Sequence, residues 1–263
     1  MDLELNDKHV LLTGGSRGIG LACARAFLRE GARVSLAART QAHLDAAVAQ
    51  LAAEGHGAVA AHCADLADAE AALRMADAAQ AKGGAIDILV NSAGAARRTP
   101  FDELQPKNWH DAMQAKFFSY IHVMDPVIKR MGERGTGAIV NVIGMGGKVA
   151  TTTHLAGGAA NAALMLATAG LAAAYGPRGV RVNAVNPALT LTDRMAEGLA
   201  AEARARGIGA DEVLRDAQSR MPLGRLAQPE DIANAVVFLA SAKAGYVSGA
   251  ILSMDGATVP MVV

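Results

Sequence analysis

Large rings are scarce in this chain of 263 residues, which has one Trp, three Tyr and five Phe, 3% in all. A core built without them must close with Ala, Val, Leu and Ile, a mix suited to parallel strands buried on both faces under stacked helices. Cysteine is nearly missing as well. Cys23 and Cys63 cannot staple a chain of this size, and the apolar stretch around each predicts a small buried hydrophobe. No charge surplus exists either, because 25 Lys and Arg balance 25 Asp and Glu. That balance gives no general footprint for nucleic acid or an anionic membrane as partner. The opening MDLELNDKHV is too acidic for a signal peptide. The longest apolar run, Leu155–Tyr175, is Ala-rich and interrupted by Gly157, Gly158, Asn161 and Gly170, so no membrane span is expected. A cytoplasmic protein without a metal site is the resulting expectation.

What the chain does have is apolar material, 52% of its residues, arranged in a strict alternation. Short runs of strand character fall at His9–Thr13, Arg33–Ala38, Ala58–Cys63, Ile86–Asn91, Ala138–Ile143, Val180–Val185 and Ala250–Met254. Between them lie helical segments at Gly18–Gly31, Gln41–Glu54, Asp68–Lys82, Asp102–Met131 with a break near Pro106, Leu155–Tyr175, Leu191–Gln218 and Pro229–Ser241. Strands alternating with helices of ten or more residues imply right-handed βαβ units and a single α/β, Rossmann-like domain over 1–263. Its seven-stranded sheet should be mostly parallel, with helices on both faces. The charged excursion Leu191–Gln218 is a lid-like insertion in that domain.

Directly after the first strand comes Thr13-Gly14-Gly15-Ser16-Arg17-Gly18-Ile19-Gly20. A glycine-rich turn between a strand and a helix lets backbone approach a pyrophosphate and offers it the helix's unpaired N–H groups. The second strand ends in Ala37-Ala38-Arg39, where a site for NAD usually places an acid on the ribose 2′-hydroxyl. Arg39 stands there instead, with Arg17 projecting from the glycine loop. Two guanidinium groups can hold a 2′-phosphate, so the expected cofactor is NADP(H) rather than NAD(H).

These segments together resemble the short-chain dehydrogenase/reductase family along essentially the whole chain. Thr13–Gly20 matches its TGxxxGxG loop, and Asp65-Leu66 its adenine-contacting pair. Asn91-Ser92-Ala93-Gly94 resembles its NNAG segment, and Pro187 with Thr192 its PGxxxT element, with Ala188 in place of glycine. Pro222-Leu223-Gly224-Arg225 through Asp255-Gly256 is typical of its closing region. The resemblance implies an NAD(P)-dependent oxidoreductase, assembled as a tetramer or dimer. It also implies cofactor contacts from Thr13, Gly14, Ser16, Arg17, Gly18, Ile19, Gly20, Arg39, Asp65, Leu66, Asn91, Ala93, Gly94, Pro187 and Thr192.

The family's proton-handling groups are a Tyr-x-x-x-Lys pair, a serine and an asparagine. At the matching positions this chain has Gly157 and Asn161, Gly144, and Lys116. Carbonyl reduction needs a proton as well as a hydride, and glycine supplies no acid. His154, just before the helix, can serve as a general acid near neutral pH. Lys116 can be tuned toward acid–base work by desolvation. Lys148, Thr151–Thr153, Arg97 and Arg98 are further candidates to line the pocket of an unknown small-molecule substrate. Gly144, Gly146, Gly147, Gly157 and Gly158 open space for a larger ligand, let backbones pack closely or leave a flexible loop. Three functions stay open: an oxidoreductase with a rearranged proton donor, a redox-silent cofactor-binding or partner subunit, and a lyase or hydratase using an open pocket.

Overall fold

Seven apolar runs form the seven strands of one sheet: β1 (His9–Thr13), β2 (Arg33–Ala38), β3 (Ala60–Cys63), β4 (Ile88–Asn91), β5 (Gly137–Val142), β6 (Val180–Pro187) and β7 (Ile251–Met254). The computed structural model describes residues 2–57, 59–94 and 96–261, with backbone alone at 194, 197, 198, 201, 202 and 205. The order is β3-β2-β1-β4-β5-β6-β7 and every pairing is parallel. The expected "mostly parallel" sheet is therefore parallel throughout. Winding runs outward from β1 to β3 on one side and from β4 to β7 on the other. The reversal between β1 and β4 opens a crevice at the strands' carboxyl ends, where ligands of such sheets bind.

The helices are α1 (Gly18–Arg29), α2 (Gln41–Ala53), α3 (Ala69–Gly83), α4 (Pro106–Ala112), α5 (Ser119–Arg134), α6 (Leu155–Tyr175), α7 (Asp193–Arg206), α8 (Ala210–Ser219) and α9 (Pro229–Ala240). Alternation along the strands divides the core in two, since successive side chains leave a strand on opposite faces. Val10, Leu12, Ile88, Val90, Val140 and Val142 pack on one face with Phe27, Leu44 and Val236 from α1, α2 and α9. Leu11, Leu89 and Ile139 pack on the other with Met75, Val127 and Met131 from α3 and α5. Aliphatic side chains fill most of both faces, with Phe27 the ring buried on the first.

Several boundaries differ from expectation. The segment read as Asp102–Met131 contains a 3₁₀ turn at Phe101–Glu103, then α4 with Pro106 in its first turn, a π-helical stretch at Met113–Phe118, and α5. The excursion at Leu191–Gln218 is two helices, broken at Gly207, which caps α7 in the left-handed conformation at φ 67°. Arg206 closes the pair through Asp216 at 2.7 Å. Ala58, the expected start of the third strand, lies outside the described residues. Helix α6 is long and apolar enough to cross a membrane by composition. Its inner face is nevertheless committed to the domain, with Asn161, Leu164 and Thr168 buried. Cys63 departs from its expected burial: it is exposed at the end of β3, where its Sγ donates to the Arg39 carbonyl, while Cys23 is buried and its thiol pushed up to about 12 by burial.

Candidate active site

A cleft of about 1360 Å³ lies at the carboxyl ends of β1, β2, β4, β5 and β6. Its first wall is the loop from β1 to α1, which contributes Gly14, Ser16, Arg17, Gly18, Ile19 and Gly20. Close approach is built into that loop: a Cβ on Gly20 would stand 2.2 Å from the Gly14 carbonyl oxygen. The turn is thus closed tightly enough to bring backbone N–H groups to a phosphate. Arg17 and Arg39 are both exposed at this end and make no ion pair with any described residue. Asp65 and Leu66 close the far side, with Asp65 Oδ1 accepting from the Ala67 N–H at 3.1 Å. Ala93, Gly94, Pro187 and Thr192 line the central part, and Thr192 also caps α7 by accepting from the Met195 N–H.

Thr13 and Asn91 stand apart from the other expected cofactor residues, because both side chains are fully buried behind the cleft wall. Thr13 Oγ1 donates to Asn91 Oδ1 and accepts from the N–H groups of Ser92 and Ala93. Asn91 Nδ2 donates to Asn141 Oδ1 at 3.0 Å, and Asn141 Nδ2 donates to Thr168 Oγ1 at 3.0 Å. This buried chain ties β1, β4, β5 and α6 together and fixes the loops at their ends, so these two residues shape the site without facing it. An unpaired buried amide would be costly, and here both amides are satisfied.

Near the other end of the cleft, four of the five glycines are packed against neighbouring atoms. A Cβ on Gly157 would lie 2.2 Å from His154 Cε1, 2.6 Å from His154 Nε2 and 2.8 Å from the Ala96 methyl, which itself lines the cleft. A Cβ on Gly146 would meet the same imidazole at 3.0 Å. The ring of His154 therefore fills the space into which a side chain at 157 would project. Gly147 and Gly158 serve backbone packing: their missing Cβ atoms would stand 2.7 Å from the Ala162 nitrogen and 2.6 Å from the Gly146 oxygen. Asn161 lies beside Gly144, its Nδ2 3.4 Å from where a Cβ would be. Close packing is observed at Gly146, Gly147, Gly157 and Gly158, whereas Gly144 lines the cleft and a Cβ there would meet only ordinary contacts.

His154 stands at the N-cap position of α6 without a side-chain capping bond and is not among the residues lining the cleft; its Nδ1 is buried with no hydrogen-bond partner among the described residues. Burial first, then the positive charges of Arg98 and Lys116, hold its basicity below the ordinary imidazole value. Lys116 emerges from the π-helical stretch into the cleft wall and is 7% exposed. Its Nζ donates to Tyr120 Oη at 2.9 Å and to the Val142 carbonyl at 3.1 Å, and the phenol donates to the same carbonyl at 2.5 Å. Burial raises the Tyr120 phenol, so it stays protonated and orients the lysine. Sequence reading missed Tyr120, although a spacing of four residues on one helix was the available signal. Lys148 is spent on the Ile251 carbonyl and Ser253 Oγ of β7.

Comparison with known proteins agrees with this architecture. A family model described as Enoyl-(Acyl carrier protein) reductase matches residues 14–257. D-threitol dehydrogenase of Mycolicibacterium smegmatis is 38% identical over 255 residues, 97% of this chain and 94% of that protein. Gluconate 5-dehydrogenase of Gluconobacter oxydans is 35% identical over 254 residues, 96% of this chain and 95% of the relative. Among solved structures, L-sorbose reductase of Gluconobacter frateurii with NADPH and L-sorbose superposes with a TM-score of 0.94 over 100% of both chains at 28% identity.

Proposed function

The chain belongs to the short-chain dehydrogenase/reductase family of oxidoreductases, and from that premise we propose that it is an NADP(H)-dependent enzyme interconverting an alcohol and a carbonyl, with His154 carrying the proton. The observation that carries this reading is the His154 imidazole filling the space beside residue 157, where a Cβ would also meet the methyl of Ala96, a residue of the cleft wall.

A bound nicotinamide supplies or takes up the hydride, and the residues of the chain must handle the proton and the charge on oxygen. In the oxidative direction a neutral His154 accepts the hydroxyl proton. Its lowered basicity keeps it neutral and ready at pH 7. In the reductive direction the same ring returns the proton to the developing alkoxide. Lys116, held by Tyr120 and Val142, contributes a fixed positive charge that favours that oxyanion. Asn161, buried among Gly144 and Gly146, keeps hydrogen-bonding capacity without the charge of a lysine.

Preference for the phosphorylated cofactor rests on Arg17 and Arg39 and on the lack of an acid at the end of β2. Related structures hold either NADPH, as in L-sorbose reductase, or NADH, as in 7α-hydroxysteroid dehydrogenase. A homo-oligomer is part of the proposal, since α6 turns outward a face of small residues with Leu166 78% exposed. Calorimetric titration of the purified protein tests the cofactor assignment. NADPH should bind at least about tenfold tighter than NADH, the worth of one charge-assisted contact. Equal affinities would refute the NADP(H) assignment, and tight binding without turnover of any alcohol or carbonyl would favour a redox-silent subunit.

A further inference from the structure

We propose that the substrate of this cleft carries a carboxylate, seated by Arg97 and Arg98 beside His154. This rests on the reading of the cleft as an alcohol–carbonyl site and names the class of molecule it takes.

Placement comes first. Ala96 touches the space at residue 157, so the two arginines that follow it run past the reacting end. The Thr99 N–H donates to the Thr153 carbonyl at 3.0 Å, stitching this segment to the loop that carries His154. Arg98 is thereby held near the imidazole, which feels its charge. Both arginines line the cleft and are exposed.

These side chains have no structural employment among the described residues. Arg33, Arg134 and Arg181 each donate to main-chain oxygens, and Arg25, Arg130 and Arg225 pair with carboxylates. Arg97 and Arg98 do neither with any described residue. Arg220, at the end of α8, also lines the cleft and makes no ion pair with any described residue. Of the acids lining the cleft, Asp216 is paired with Arg206 and Asp65 accepts from the Ala67 N–H, which leaves Asp193 at the start of α7. Against that acid the cleft presents Arg97, Arg98, Arg220 and Lys116. A neutral polyol would leave the guanidinium forks unanswered, whereas a carboxylate answers them two bonds at a time.

The test uses the protein loaded with NADP⁺ and two probe pairs: gluconate against glucitol, and threonate against threitol. Binding is read by calorimetry and oxidation by formation of NADPH. At least one acid should bind tenfold or more tightly than its alditol, with the advantage shrinking at high salt. R97Q/R98Q should remove it, leaving alditol and NADP⁺ affinity within about threefold. Acids no tighter than alditols, binding of neither included, would overturn the proposal, as would acid selectivity that survives the double substitution. Arginine-dependent acid binding without turnover would sustain the substrate class while refuting the redox reading. Turnover of alditols without preference for acids would do the reverse.

Discussion

At the scale of single residues, His154 is defined by what surrounds it. A histidine whose folded pKa lies below its ordinary value of about 6.5 is neutral at pH 7, which suits a base for alcohol oxidation. Protonating it would put a second N–H at the buried Nδ1 position, where no described partner waits. The acid limb of kcat/KM for oxidation should therefore fall below pH 6.5, and His154→Gln should abolish that limb. A midpoint above 6.5 would show that another group titrates. Thr13 and Asn91 teach a different lesson. Sequence placed them correctly at the strand ends, but only the fold shows that their side chains turn inward to bond each other.

At the scale of elements, the glycines of the loop after β5 and of the first turn of α6 matter through what their absent side chains admit. Gly157→Ala inserts a methyl 2.2 Å from His154 Cε1, and the ring must leave its position. The substitution removes a glycine from the first turn of a helix, which by propensity alone stabilises by at most about 1 kcal/mol. Activity should nonetheless fall at least about tenfold, with NADPH affinity unchanged. Full activity with a displaced ring would uncouple His154 from the chemistry. All seven strands and α6 were legible from period and punctuation, because parallel strands read as short apolar runs and α6 stops at Gly176-Pro177. The π-helical stretch at Met113–Phe118 and the break at Gly207 were not. A π turn leaves no mark in apolar spacing, and Gly207 sits in a charged segment whose own periodicity is weak. The tenancy of the 157 space by His154 was equally hidden, since it joins residues three apart through a turn whose geometry spacing alone leaves open.

For the whole molecule, pH reports on three histidines. His9 is buried between the Gly84 carbonyl and Ser35 Oγ, and His62 Nε2 is buried without a described partner. Burial is the leading cause that lowers His9, His62 and His154 alike. The unfolded chain, with ordinary histidines, takes up protons first as pH falls, so stability is intact above pH 6.5 and declines below it toward the folded values. Glu54 and Asp231, whose values are lowered by Arg25 and Arg225, add their loss only at more acidic pH. Tm should drop by a few degrees between pH 7.5 and 5.5, and a flat profile would mean that these rings gain partners on protonation. The central claim, proton transfer through His154 in an NADP(H)-dependent site, is tested most directly by single-turnover hydride transfer in the wild type and in His154→Ala at saturating NADPH. A loss of about 10²- to 10⁴-fold with cofactor affinity intact is the predicted result, and an unchanged rate would contradict it.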